Sequence, residues 1–328
     1  MIQRLSETCS ELLHYTTVAG LQGIVESQQL WATNISYLND AEEHTGFFDR
    51  RLPHLLQAPI QKALDKFKES DFGKKYLEAV GGIDNARKDL ATFAGAIRSV
   101  TLKFNAPYVT SFCRASSPEA AADGLLSQWR GYGVDGGYAI VFETVLLEKL
   151  LDEESKRFNY QSLRWGDVEY YDQDSSQQAA HPETVEWEQA IQDAYHKFLV
   201  TRNQSELDAA FEPVTALSCL HKHRGFREEA EVRIVAIPAN PEVFEASQNT
   251  GDKRPQKPIH FVTRSSVLVP YIKLFGTEDL SPNMLPITRV IVGPHPDRLK
   301  RQKAVALMLE QHEIDAEVTI SDIPYLGR

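Results

Sequence analysis

The sequence predicts an α+β fold: a mixed or antiparallel sheet with helical insertions, as a single domain over residues 1–328. Three observations predict it. The strand-like runs are short, the clearest being YAIVF at Tyr138 to Phe142, a continuous apolar run that follows Gly136-Gly137. Runs of helical periodicity interrupt the strands instead of alternating with them one for one, near residues 48–106 and 147–216. The C-terminal stretch reads as a compact strand–helix–strand unit, Ile287 to Val292, Asp297 to Gln311 and Glu317 to Ile320, with GPHP as the first turn.

The elements follow in order. Thr17 is a helix cap, and Leu21, Ile24 and Val25 form one apolar face behind it. Gln29 to Thr33 reads as a short strand and Asn34 to Asp40 as a turn-rich link. Asp40 with Glu43 has the spacing of a capping box for the next helical stretch, which carries Phe47, Phe48, Leu52 and Leu55. Helix is expected up to about Arg98, broken at Gly81-Gly82.

Tyr108 to Cys113 alternates like a strand, and Ser116 to Asp123 reads as loop. Leu125 to Trp129 fits one helical turn, and Arg130 to Gly137 a glycine-rich loop. Val168 to Tyr171 is strand-like. Trp187, Ile191, Ala194, Phe198 and Leu199 mark an amphipathic helix. A further helix is expected from a Ser205 cap to Leu220, kinked at Pro213. Its acidic start at Glu206 and Asp208 and basic finish at Lys222 to Arg224 suit the macrodipole, and Gly225 ends it. Glu231 to Ile237 alternates, and strand material recurs at Lys257 to Phe261 and Val267 to Leu274.

Composition narrows the function classes. The chain has 328 residues, 42% hydrophobic and 25% charged, enough apolar material for a core without a disulfide or metal staple. A net charge of −11 argues against a broad grip on nucleic acid or an anionic membrane, while a local basic pocket stays compatible with it. Cys9, Cys113 and Cys219 are dispersed and form no CxxC, which reads as reduced thiols in a cytoplasmic protein. The first residues carry no secretory h-region, and no apolar run reaches the roughly 18 residues that span a bilayer.

Three constellations can carry chemistry. His14-Tyr15-Thr16 is either a half-buried strand end before a cap, or a ligand-facing strand on which His14 bonds a hydroxyl with Tyr15 or Thr16 beside it. Ser127 to Gly133 (SQWRGYG), leading to Gly136, Gly137 and Tyr138, mixes aromatics and Arg130 with glycines. It serves equally as a structural loop or as a ligand loop in which a ring stacks on a flat base and Arg130 forks onto phosphate. It lacks the Lys and Ser/Thr of a P-loop. In Phe226 to Arg233 (FREEAEVR), strand alternation puts Glu229, Glu231 and Arg233 on one face. They form either a solvent-facing charged pair or a carboxylate at the mouth of a cleft. Cys219, His221 and His223 lack a second ligand set, so a helix end is the simpler reading than a metal site. No GxSxG or HExxH occurs.

In order, HYT at His14, LWATNISYLND at Leu30, TSFC at Thr110, LLSQWRGYGVDGGYAIVF at Leu125, FREEAEVRIV at Phe226, LPITRVIVGP at Leu285 and SDIPY at Ser321 resemble a prokaryotic family called domain of unknown function 2971. That family looks distantly like the ADP-ribosyltransferase superfamily. The resemblance implies an ADP-ribosyltransferase-like sheet core and NAD as the substrate. His14 then holds a ribose hydroxyl and Glu231, with Glu229 in reserve, is the catalytic acid. Tyr132, then Tyr138, is the aromatic at the nicotinamide, and Ser111 sits beside the ligand. Trp129 is a stacking ring, and Arg130 or Arg233 neutralises the pyrophosphate. No STS-like middle motif stands in its usual form.

Breaking the nicotinamide–ribose bond builds oxocarbenium-like charge, which a fixed carboxylate stabilises by about 3 kcal/mol. The function implied is an NAD-using transferase, a toxin or phage-defence effector with an antitoxin or effector protein as partner and an acceptor that the sequence does not name. The alternative is a non-catalytic nucleotide- or nucleic-acid-binding module on the same scaffold.

Overall fold

The computed structural model describes residues 4–38, 45–104, 107–132, 136–172, 179, 181–276 and 284–325; for residues 93, 96 and 98–104 it describes the backbone. The capping box of Asp40 with Glu43, and Gly133 of the glycine-rich loop, lie outside the described residues. The fold is α+β. The chain divides into two compact units, one formed by Met1–Thr33, Tyr108–Gly166 and Phe226–Arg328, the other by Asn34–Pro107 and Asp167–Gly225.

The first unit is built on a sheet of ten strands among the described residues. Its main path runs β12 (Glu317–Ile320), β11 (Ile287–Val292), β4 (Tyr138–Glu143), β1 (Glu11–Thr16), β3 (Tyr108–Arg114), β2 (Leu30–Asn34), β10 (Val267–Leu274), β9 (His260–Arg264); β8 (Glu231–Pro238) pairs with β3 and with β5 (Tyr160–Asp167). The pairings of β1, β4, β3 with β8, and β10 are antiparallel; β11 and β12 are parallel. The expected strand–helix–strand unit forms, with Arg298–Gln311 as the crossover helix, as a parallel pair requires.

One strand is shared unusually. Along one edge β3 pairs with β8 from Tyr108 to Cys113. β1 and β2 therefore divide its other edge between them. The β1–β3 ladder covers only Leu12↔Arg114 and Leu13↔Cys113, so the sheet forks where β1 leaves β3.

Both faces of the central strands are covered. Leu12, Phe112, Ile140, Phe142, Val232 and Ile234 belong to the larger cluster on one face. Leu13, Tyr15, Cys113, Ala139, Val141 and Trp129 form the cluster on the other. That is why YAIVF is continuously apolar: β4 has a partner strand on each side and a cluster on each face. Helix α1 (Val18–Ser27) buries Leu21, Ile24 and Val25, and Thr17 caps it by accepting from the Gly20 amide at 3.2 Å.

The second unit is mainly helical. A short π-helical turn, Phe47–Arg51, leads into α2 (Leu52–Glu69), followed by α3 (Asp71–Ala79), α4 (Ile83–Phe104) and, later in the chain, α8 (Pro182–Thr201) and α9 (Asp208–Leu220). Leu56, Ile60, Leu64, Leu90, Ile191, Tyr195, Leu199 and Val214 make its core. The break at Gly81-Gly82 separates α3 from α4, with φ of 80° and 107° at the two glycines.

Three local readings are corrected. Ser116 to Asp123 is not all loop: Ser117 caps a short helix α5 (Pro118–Asp123), accepting from the Ala120 amide, with proline at its first turn. The Gly-rich loop starts later than expected, because α6 (Leu126–Tyr132) takes in Arg130 and Tyr132. The helix ending at Leu220 does not run on to a basic finish. His221–His223 is β7, pairing in parallel with β6 (Glu169–Tyr171), so the ladder satisfies backbone groups that a helix would have used.

Candidate functional site

His14 stands at the fork. Where β1 stops pairing with β3, the Ser111 carbonyl has no ladder partner from β1, and His14 Nδ1–H donates to it at 2.9 Å. The acceptor is a carbonyl, so Nδ1 carries the proton and Nε2 carries a lone pair. Burial lowers the His14 pKa below its ordinary value, with the bond to Ser111 opposing. The ring is therefore neutral near pH 7. It tilts against Phe112 at 5.6 Å, and Nε2 has no hydrogen-bond partner among the described residues. A neutral imidazole so held accepts a hydrogen bond from a hydroxyl.

Strand register decides which other residues share its face. His14 pairs with Ile140 and Thr16 with Tyr138, so Thr16 and the buried Tyr138 lie on the His14 face. Burial raises the Tyr138 pKa, with Arg301 opposing. Thr16 packs its hydroxyl close to Gly20, where a Cβ would meet it at 1.9 Å.

Glu231 is on the opposite face. It pairs with Cys113, which pairs with Leu13, while Ser111 pairs with Arg233. Glu231 and Arg233 do share a face, as alternation requires, but that face is covered: they are 5% and 2% exposed. Arg233 Nε donates to Glu231 Oε1 at 2.7 Å and Nη2 to Oε2 at 3.0 Å, which engages both carboxylate oxygens. Glu229 is not part of this strand. It ends a 3-10 segment, Arg224–Glu229, and Ala230 at φ 42° separates it from β8.

Tyr15 and Trp129 answer as packing residues. Tyr15 is buried, its hydroxyl accepts from the Leu125 amide at 2.8 Å, and burial pushes its pKa up. Its ring meets Trp129 edge-on at 5.0 Å. Trp129 is 0% exposed and its indole N–H donates to the Asp123 carbonyl at 2.9 Å. Gly124, at φ 74°, lies so close beneath the indole that a Cβ would sit 2.7 Å from it. The unusual composition of SQWRGYG is thus partly that of a packed corner. Arg130 is exposed, with its guanidinium 5.6 Å from the Tyr325 ring, and Tyr132 is 43% exposed.

The site residues therefore fall into three groups: His14, Thr16 and Tyr138 on one face; Tyr15, Ser111, Trp129, Glu231 and Arg233 on the other; Arg130, Tyr132 and Glu229 outside the strands. Among the described residues no group of three or more His, Cys, Asp and Glu gathers as metal ligands. Cys219 Sγ is occupied with the Thr215 carbonyl, and His221 stacks on Tyr171 at 4.9 Å.

Two groupings escaped sequence reasoning. In the second unit Arg51 makes a bidentate pair with Glu188, 2.7 Å for each bond, beside Tyr171, Glu169 and His221. No spacing signal links residues 137 positions apart. In the first unit Trp31 of β2 is stacked on Tyr271 of β10. A signal for it existed, because Trp31 falls between Leu30 and Ala32, whose parity marks the buried face.

No curated protein and no solved structure matches the chain. Over residues 128–234 the chain matches the family described as Protein of unknown function (DUF2971).

Proposed function

We propose that this protein binds NAD or a related nucleotide on an ADP-ribosyltransferase-like scaffold, with His14 Nε2 accepting a ribose hydroxyl, and that Glu231 is a structural residue. One observation carries the reading: a neutral imidazole, fixed by Nδ1–H on the Ser111 carbonyl, keeps a lone pair unoccupied where the sheet forks. Ring orientation is set in advance, so a ligand hydroxyl meets an acceptor whose tautomer is already decided. The engaged, buried carboxylate of Glu231 favours binding over transfer through that residue.

A second reading is ADP-ribosyl transfer from NAD with Glu229 as the acid. Its support is that Glu229 stands outside the strand and is partly exposed while Glu231 is buried. In that reaction the bond between nicotinamide nitrogen and ribose C1′ breaks, nicotinamide leaves with the electron pair, and the acceptor forms the new bond and loses its proton. The carboxylate stabilises the positive sugar. Such a protein would act as a toxin or defence effector on a macromolecule or small molecule.

Titration calorimetry with NAD, run beside an assay for free nicotinamide, tests both. The expected result is saturable binding that His14→Ala removes, with no nicotinamide released. Absence of NAD binding would overturn the first reading. Nicotinamide release that Glu229→Gln abolishes would replace it with the second.

A further inference from the structure

The face of the sheet opposite His14 carries a row of three rings across three strands. Trp31 on β2 stacks on Tyr271 of β10, with ring centres 4.1 Å apart and planes 24° apart. Tyr271 is followed by His260 of β9, at 5.6 Å and 33°. The register makes the row a consequence of pairing: Tyr271 is opposite His260, and Trp31 is opposite Lys273, one diagonal step from Tyr271. Tyr271 is 7% exposed, whereas Trp31 is 40% exposed. One indole face is thus covered by the phenol, and the ring as a whole remains open to solvent.

A stacked pair whose outer member is exposed is extended readily by another flat ring, since offset stacking needs no directional partner. Charge narrows the identity of that ring. Lys273 stands directly across from Trp31 and makes no ion pair among the described residues. His260 has a lowered pKa, first from burial and then from the positive charges of Lys273 and Lys257, with no carboxylate among its causes. In a chain of net charge −11, this is a locally positive aromatic surface. Lys257 is held by Glu154, which leaves Lys273 as the cation for a ligand.

We propose that Trp31, backed by Tyr271 and His260, is a stacking platform for the base of a purine nucleotide, and that Lys273 takes its phosphate. A neutral apolar ring would use the indole and ignore the lysine, so the phosphate is the discriminating part of the ligand. The platform lies on the other side of the sheet from His14, so Trp31 and His14 variants tell the two sites apart.

The test is ligand-observed saturation-transfer NMR on AMP, adenosine and a short oligoadenylate, with the base protons as readout. The expected result is transfer to the AMP base protons with saturable binding. Trp31→Leu weakens it on the order of tenfold, the size of loss typical of a base–aromatic stack, and Trp31→Phe retains part of it. Lys273→Gln brings AMP down to the level of adenosine. Transfer that survives Trp31→Leu and is lost in His14→Ala would put the base on the His14 face and overturn the proposal. Binding of the oligoadenylate above AMP identifies the source as a strand end; parity identifies the free nucleotide. Absence of transfer to AMP and to the oligoadenylate in the unaltered protein would overturn the proposal, as would equal transfer in Trp31→Leu. Trp31 is exposed and Lys273 half-buried, and the circular-dichroism spectrum of each variant checks that the fold survives.

Discussion

Among the described residues each unit buries an arginine–glutamate pair, and the two pairs differ in what they connect. In the first unit Glu231 and Arg233 are neighbours on one strand, two residues apart. The bond between them spans two positions of β8. In the second unit Arg51 and Glu188 come from the turn before α2 and from α8. Arg51 also lies 4.5 Å from the Tyr171 ring, and Tyr171 donates its hydroxyl to Glu188 at 3.2 Å. The same chemistry links neighbours on one strand in one place and ties three segments together in the other. A buried pair reveals its role through the chain separation of its partners, not through its own geometry.

The largest effects should come from breaking either pair. Arg233→Met or Arg51→Met takes the guanidinium away from a buried carboxylate and should cost about 3–5 kcal/mol in urea unfolding. A loss below about 1 kcal/mol in either would show that the charge escapes to solvent. Acid should then separate the units. His221 is stacked on Tyr171 and held neutral, its pKa lowered to about 3 by burial first and then by Arg50, Arg51 and His223. The unfolded chain takes up this proton near pH 6.5, so His221 costs no stability above that pH and progressively more as pH falls toward 3. At pH 4 the loss is about 3 kcal/mol. Glu188 acts in the other direction: burial raises its pKa, so its proton favours the folded form as pH falls through the raised value. His221→Phe should flatten the decline between pH 6.5 and 4, and an unchanged slope would assign the acid sensitivity elsewhere.

Removing both charges at once sharpens the contrast. Glu231→Leu with Arg233→Met should cost less than Arg233→Met alone, because no carboxylate is left facing a missing guanidinium. Arg51→Met with Glu188→Leu should still cost about 2 kcal/mol, because the Tyr171 hydroxyl is left unpaired. Equal double-mutant values would erase the distinction. The smallest effects should be matched ones: Thr17→Ala in the first unit and Ser70→Ala in the second each remove one helix cap, worth about 1 kcal/mol.

Much of the fold was legible because local chemistry and tertiary packing agree. The Thr17 cap, the apolar β4 and the β11–helix–β12 unit all needed only periodicity and end signals. Ser117-Pro118-Glu119 carried a helix start that was legible too, as a cap followed by proline. His221–His223 was not, because only β6, some fifty residues earlier, makes that segment a strand. The site was half legible for a sharper reason. Alternation within β8 correctly places Glu231 with Arg233. It does not say whether that face is wet, and it cannot relate β8 to β1. That relation needs two registers, Glu231↔Cys113 and Cys113↔Leu13, and together they send Glu231 away from His14.

The interleaving of the two units has a consequence for how the chain is made. The segments of the helical unit are complete once residue 225 has been synthesised. At that moment β3 still awaits β8, and β4 still awaits β11. A nascent chain therefore has all of its helical unit in hand while the sheet lacks five of its strands. Ribosome-bound intermediates should acquire protease resistance first around Leu64 and Ile191, and only much later at Ile140.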